Sequence, residues 1–325
     1  MENNQTILIT GAAGFIGFHL SRKLLEMGEN VVGVDNLNSY YDVSLKKGRL
    51  EILKSYKHFS FYKEDIHNFS ALSMVFEQSR PDIICNLAAQ AGVRHSLKDP
   101  FSYQKSNLDG FLNLLELARK SKVKNFVYAS SSSVYGKNKK IPFSVNDRVD
   151  TPISLYAATK KANELMAHAY SHLFQIPCTG LRFFTVYGPW GRPDMALFLF
   201  ADAILNKRSI NVFNYGNMKR DFTYIDDIID GTIAALKRPA PYEIFNLGNS
   251  KSVKLLDFIR ILEEELGQKA DKKKMAMQPG DVSETAADIQ SSREQLGFNP
   301  KTPIEEGIRK FTRWYREYYN IRKEK

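Results

Sequence analysis

The chain has two cysteines, Cys85 and Cys178, and both sit inside apolar stretches. That excludes a disulfide scaffold and fits buried thiols in a reducing compartment, so a cytoplasmic protein is expected. Long apolar runs are also missing. None approaches the ~20 residues of a membrane span, and the polar start MENNQT reads as no secretory signal. There are no internal repeats and no low-complexity linker. Charge of one sign leads without concentrating: 46 Lys and Arg against 36 Asp and Glu give +10, clustered only at Lys272–Lys274 and in the RKEK tail. Such an excess is compatible with nucleic acid or with small anions such as nucleotide phosphates. The two clusters read most simply as solvated surface, and nucleic acid has nothing but net charge in its favour.

What is present is an alternation. Short apolar runs at 6–10, 30–34, 59–63, 82–88, 125–130 and 178–184 are mostly separated by amphipathic stretches such as 15–27 and 111–122. Strands spaced by helix-length segments predict an α/β fold with a doubly wound, Rossmann-like parallel sheet. Beyond residue 185 the pattern loosens. GPWGRPD (188–194) reads as a loop, EIFNLG (243–248) as one more strand, and 254–266 and 303–319 as helices. The expected division is therefore interleaved: 1–184 with a returning segment at about 222–248, against a smaller α/β domain of 185–221 and 249–325.

TILITGAAGFIGFHL places Gly11, Gly14 and Gly17 directly after the first strand and at the start of a helix. Glycine lets the backbone turn tightly against a pyrophosphate, whose charge rests on the free N–H groups of the helix start. A lone glycine triplet also serves plain turns, but Asp35 then ends the second strand, where a carboxylate takes the adenosine ribose hydroxyls. It would repel a 2′-phosphate, so NAD is expected rather than NADP. Asp65 follows the third strand and can reach the adenine; Ala88 and Ala89 follow the fourth and let a cofactor pass close.

Tyr156 and Lys160 are spaced i, i+4 on a predicted helix and share a face. A phenol with its usual pKa of about 10 is a poor base at neutral pH. A nearby ammonium, together with the positive nicotinamide, would favour the phenolate, and Lys160 could also hold the cofactor ribose.

With the glycine triplet and the serine run ASSSSVYG (129–136), this spacing resembles the extended short-chain dehydrogenase/reductases that act on nucleotide sugars. The likeness runs from residue 6 to about 315, and NSYYDVSLKKGRL (38–50), AAQAGVRHS (88–96) and LRFFTVYGPWGRPDMALF (181–198) resemble the UDP-glucuronate 4-epimerases. That resemblance implies a UDP-sugar substrate and a homodimer built on the helix after strand four and the one bearing Tyr156. It places Phe15, Ile16, Asn36, Ile66, Leu87, Gln90 and Asn107 along the cofactor with the residues already named. Ser131 matches the hydroxyl residue that bonds the sugar O4 beside Tyr156, Arg220 the arginine that grips the UDP phosphates, and Asp281 an acidic uridine contact. Gln278 stands where the family often has arginine, and Asn86 replaces a commoner histidine. No metal site is expected.

The serine run also lacks something. Relatives that eliminate water or carbon dioxide carry an acid just after the catalytic hydroxyl residue, where this chain has Ser132 and Ser133. Hydride shuttling needs no such acid, so C4 epimerisation is the expected reaction. Oxidising C4 of a glucuronate makes a β-keto acid that loses carbon dioxide unless its carboxylate is held. Ser132, Ser133, Thr185 and Arg192 are the expected cradle, Arg192 for its planar fork. The alternatives are a UDP-glucose/UDP-galactose 4-epimerase on the same machinery and, more remotely, a non-catalytic NAD-binding sensor.

Overall fold

In the computed structural model, which describes residues 5–278 and 280–321, seven parallel strands form the central sheet. They are β1 (Thr6–Thr10), β2 (Asn30–Val34), β3 (Phe59–Tyr62), β4 (Ile83–Asn86), β5 (Asn125–Ser131), β6 (Cys178–Phe183) and, after an excursion, β10 (Tyr242–Leu247). The order β10-β6-β5-β4-β1-β2-β3 reverses direction between β1 and β4. Such a switch point opens a crevice beyond the strands' carboxyl ends. The polar start Met1–Asn4 and the tail Arg322–Lys325 lie outside the described residues.

Helices α1 (Phe15–Glu26), α2 (Val43–Lys54), α3 (Phe69–Ser79), α4 (Pro100–Tyr103), α5 (Gly110–Ser121) and α6 (Leu155–Phe174) lie between the first six strands. Covered on both faces, β1, β2, β4 and β6 are almost wholly buried, which is why they read as unbroken apolar runs. Ser154 caps α6 by accepting from the Ala157 N–H, so the helix bearing Tyr156 starts at a defined residue.

The loosened pattern after residue 185 has a structural cause. Here β7 (Thr185–Tyr187), β8 (Ile210–Val212), β11 (Ser252–Lys254) and β12 (Lys272–Lys274) have three residues each, too few to show a period. With β9 (Lys219–Tyr224), β7 and β11 form a three-stranded sheet in the order β11-β9-β7, while β8 pairs with β12. Phe222–Tyr224 therefore belong to the small sheet, and the return to the large one runs through α8 (Ile225–Lys237) into β10. The remaining helices are α7 (Ala196–Leu205), α9 (Leu255–Leu266), α10 (Gln290–Leu296) and α11 (Ile304–Tyr318).

One buried ion pair ties β5, β6 and α6 together. Arg182 of β6 donates from Nε and Nη2 to the two oxygens of Glu164 on α6, at 2.8 and 2.9 Å. Ser130, at the end of β5, donates to the same carboxylate at 2.7 Å. Burial pushes the Glu164 carboxyl up, but the guanidinium and Ser130 outweigh it and hold the group below the usual range. Glu164→Gln would leave a buried cation without its counter-charge, a loss of about 3 kcal/mol or more. Urea unfolding of the two proteins measures it.

Candidate active site

The turn between β1 and α1 is built for close approach. Gly11 sits at φ +70°, and a Cβ there would lie 2.9 Å from the Ala88 nitrogen; at Gly17 a Cβ would lie 2.1 Å from the Gly11 carbonyl oxygen. Three backbone segments thus meet without side chains. Gly14 starts α1 and no side chain caps it, so the helix presents its first N–H groups and positive dipole end to the crevice. Phe15 is buried and Ile16 partly buried against the main core.

Asp35 ends in the same crevice, accepting from the Ala13 N–H at 3.1 Å and the Leu37 N–H at 2.8 Å. Burial raises its carboxyl above the ordinary range against the opposing pull of Lys46. Asn36 donates to Asp65 at 3.0 Å. Burial pushes Asp65 up, but bonds from Asn36 and the His67 N–H leave it lowered. Leu87, Ala88 and Ala89 follow the end of β4, and Ile66 packs against Gly110. Asn107 is spent inside the protein: Oδ1 takes the Gln90 N–H, and Nδ2 donates to the Gln90 carbonyl and to Thr159. It shapes the wall instead of offering a donor. Asn86 likewise accepts from Thr10 at 2.6 Å and links the ends of β4 and β1. A glycine cradle, an uncapped helix start and a buried carboxylate at the second strand end fit a dinucleotide.

Beside this crevice β5 ends at Ser131, and Ser132–Tyr135 form a single 3-10 turn. The Ser131 hydroxyl accepts from the Ser133 N–H at 3.1 Å and faces the Tyr156 phenol closely enough to lower its pKa. Burial raises the Tyr156 pKa, and the two groups that oppose the rise are Ser131 and the charge of Arg192. Lys160 was expected to fill that role. Instead its Nζ donates to the Ala129 carbonyl at 2.8 Å, and burial has already lowered it to about 8. The Tyr103 ring closes the other side of Tyr156, edge-on at 6.1 Å.

Arg192 belongs to the 188–194 loop and, with Thr185 and Phe15, lines a small cavity. The loop is held by residues for which the sequence offered no role. His19 bonds the Pro189 carbonyl at 2.9 Å. Arg49, fully buried, donates to the Trp190 and Gly191 carbonyls and to Ala13 in the glycine turn. Trp190 takes a left-handed φ of +59° and packs among Phe18, Trp314 and Tyr318. Arg192 itself is gripped by Asp194, and Tyr40 donates to Asp194 at 3.1 Å. Tyr40 and Arg49 come from the 38–50 stretch, singled out in the sequence only by its resemblance to the 4-epimerases.

Arg220 and Asp281 meet at 3.5 Å, apart from the Tyr156 cluster as far as any bond shows. Burial lowers the Arg220 pKa against the pull of Asp281. Gly280, next to Asp281, lies against Val93, and Arg94 stacks over Phe213 at 5.8 Å. Gln278 Oε1 is buried with no partner among the described residues. Among those residues no helix is long and apolar enough to cross a membrane.

Comparison with known proteins places this geometry. Residues 7–248 match the model of the "NAD dependent epimerase/dehydratase family". Protein CapI of Staphylococcus aureus is 51% identical, over 96% of this chain and 99% of that protein. UDP-glucuronate 4-epimerase 4 of Arabidopsis thaliana is 47% identical, over 98% of this chain and 77% of that one. The crystal structure of UDP-glucuronic acid 4-epimerase from Bacillus cereus, in complex with UDP-glucuronic acid and NAD, superposes with a TM-score of 0.91 at 36% identity, covering 97% of this chain and 100% of that one.

The His19 contact gives the loop a pH dependence. Burial lowers the imidazole pKa from 6.5 to about 3, so the ring stays neutral in the fold. Between those values the unfolded chain binds a proton that the folded one refuses, so stability falls as pH drops from about 6.5 toward about 3. In His19→Gln that part of the slope should vanish, read from urea midpoints between neutral and acid pH.

Proposed function

This chain belongs to the NAD dependent epimerase/dehydratase family, and from that premise we propose that it is a UDP-glucuronate 4-epimerase, converting UDP-glucuronate to UDP-galacturonate. The observation that carries the reading is the placing of Ser131, at the carboxyl end of β5, beside Tyr156 of α6, where that hydroxyl and the Arg192 charge oppose the burial of the phenol, with serines, not acids, at 132 and 133.

Ser131 holds the sugar O4 and Tyr156 takes the hydroxyl proton onto its phenol oxygen, helped by the Arg192 charge. NAD, when bound at the glycine turn, supplies the acceptor and later the donor of the C4 hydride. Gly11, Gly14, Phe15, Ile16 and Gly17 would hold its pyrophosphate side, Asp35 and Asn36 the ribose, Asp65 and Ile66 the adenine. Leu87, Ala88, Ala89 and Gln90 would flank it, and Lys160 its other ribose. Between the two transfers the 4-keto sugar turns over about its pyrophosphate link, and Tyr156 returns the proton.

Ser132, Ser133, Thr185 and Arg192 keep the C5 carboxylate solvated by fixed donors, which opposes loss of carbon dioxide from the β-keto acid. Arg220 takes the UDP phosphates; Asp281 and the unpartnered Gln278 oxygen face the uridine end. On this reading 1–184 and the returning segment carry NAD, and 185–221 with 249–325 carry the UDP-sugar. Two free buried cysteines suit the cytoplasm. Leu112 on α5 and Leu165 and Leu173 on α6 are exposed apolar side chains, which supports a homodimer through these helices.

Purified protein given UDP-glucuronate, UDP-glucose and UDP-xylose separately, with products identified by NMR, tests the substrate. Turnover of UDP-glucose above UDP-glucuronate would move the assignment to a neutral-sugar epimerase. Tyr156→Phe should lose about a thousand-fold in kcat while still binding NAD. Arg192→Ala should slow UDP-glucuronate turnover and release UDP-pentose; unchanged turnover without that by-product would remove Arg192 from the cradle. Leu165→Glu with Leu112→Lys should yield a monomer in sedimentation.

A further inference from the structure

The guanidinium assigned to the substrate carboxylate already holds a carboxylate. Arg192 donates from Nε to Asp194 Oδ1 at 3.0 Å and from Nη2 to Oδ2 at 2.5 Å, a bidentate grip along one edge. Tyr40 donates to Oδ2 at 3.1 Å, and the guanidinium carbon lies 5.8 Å from the Tyr40 ring centre. Both partners are mostly enclosed, at 23% and 30% side-chain exposure. The Coulomb pull of Arg192 lowers the Asp194 carboxyl, although burial pushes it up. The loop beneath is held by Arg49 and His19, so the arrangement is not that of a surface side chain folding back on itself.

The chemistry of a uronate gives this pair a task. The reaction requires the 4-keto sugar to present its other face at C4. Turning the ring about the line from C1 to C4 keeps C4 in place but carries C5, with its carboxylate, to where C3 had been. The carboxylate must therefore leave the cradle in every turnover. Pulling an anion off an enclosed guanidinium that has no other partner leaves a desolvated cation, and removing one member of such a pair is costly. A neutral hexose meets no such obstacle.

We infer that Asp194 is a resident stand-in for the substrate carboxylate: it shares Arg192 while the sugar carboxylate is in the cradle and remains its counter-ion when that carboxylate departs. Tyr40 is the positioning residue that keeps Asp194 on the guanidinium edge. The substrate then meets the other edge of Arg192 together with the neutral hydroxyls of Ser132, Ser133 and Thr185. It is held firmly enough to resist decarboxylation and loosely enough to turn. This rests on the uronate reading above.

Asp194→Asn keeps the side chain's size and removes its charge. The dissociation constant for UDP-glucuronate, measured by calorimetry, should fall about ten-fold, since Arg192 gains its only anion from the ligand. The constants for UDP-glucose and UDP-xylose should stay as in the parent protein. With UDP-glucuronate kcat should fall, and the isotope effect from deuterium at C4 should shrink toward one as turning becomes limiting. Tyr40→Phe, which keeps the ring and loses only the bond to Asp194, should move both quantities the same way by less, and carries the test if Asp194→Asn does not fold. Unchanged or weaker binding of UDP-glucuronate, or equal tightening for all three ligands, overturns the inference. If Arg192→Ala leaves UDP-glucuronate binding unaltered, the cradle reading itself fails. If Arg192→Ala weakens binding and Asp194→Asn does not tighten it, only the stand-in role fails.

Discussion

Glu164 and Arg182 meet in the interior with side chains 1% and 3% exposed, and the geometry of the active edge follows from that contact. One carboxylate joins α6, which carries Tyr156 and Lys160, to β6 through Arg182 and to β5 through Ser130. Arg182 reaches on to Tyr135, and Tyr135 donates to Asn246 of β10. Four elements are thereby bonded at the level where the strands end. A hydroxyl one residue further along β5 can meet a phenol two helical turns back along α6 only if that level is held. Ser130, which has no part in the chemistry, is the hinge pin of the serine run.

A second constraint works from the other side of the crevice. Arg49 donates both to the glycine turn and to the loop bearing Arg192, so that turn and that loop share one buried cation. Carbonyl oxygens and the Tyr41 hydroxyl, not an acid, receive its hydrogens. Arg192, on that loop, is gripped by Asp194 and acts on the Tyr156 phenol as a charge opposing its burial. The loop is consequently coupled electrostatically to the Tyr156 phenol as well as mechanically to the glycine turn.

Much of this was legible beforehand because it rests on local rules. The glycine triplet after TILIT, Asp35 at a strand end and Tyr156 four residues before Lys160 each constrain the backbone or a helix face over a few residues. The parallel, doubly wound sheet followed from the alternation of runs and helices. Elements of three residues, such as β7 and β11, could not be read, since pairing with β9 rather than any internal period makes them strands. The partner of Lys160 was hidden for a related reason. Spacing puts two side chains on one face, but the Ala129 carbonyl on a different element decides where the ammonium goes. Asn107 was placed on the cofactor by likeness, and its hydrogen bonds turn inward to Gln90 and Thr159.

The sequence by itself determined the sheet, the dinucleotide turn, the Tyr156–Lys160 spacing and the absence of an acid beside Ser131, because each depends on residue type at fixed short spacing. Tertiary structure alone decided which charges meet. Tyr40 and Asp194 are 154 residues apart, Ser130 and Glu164 are 34 apart, and Arg49 reaches carbonyls 141 and 142 residues away. Electrostatic interaction depends on distance and burial, and neither exists until the chain has closed these loops.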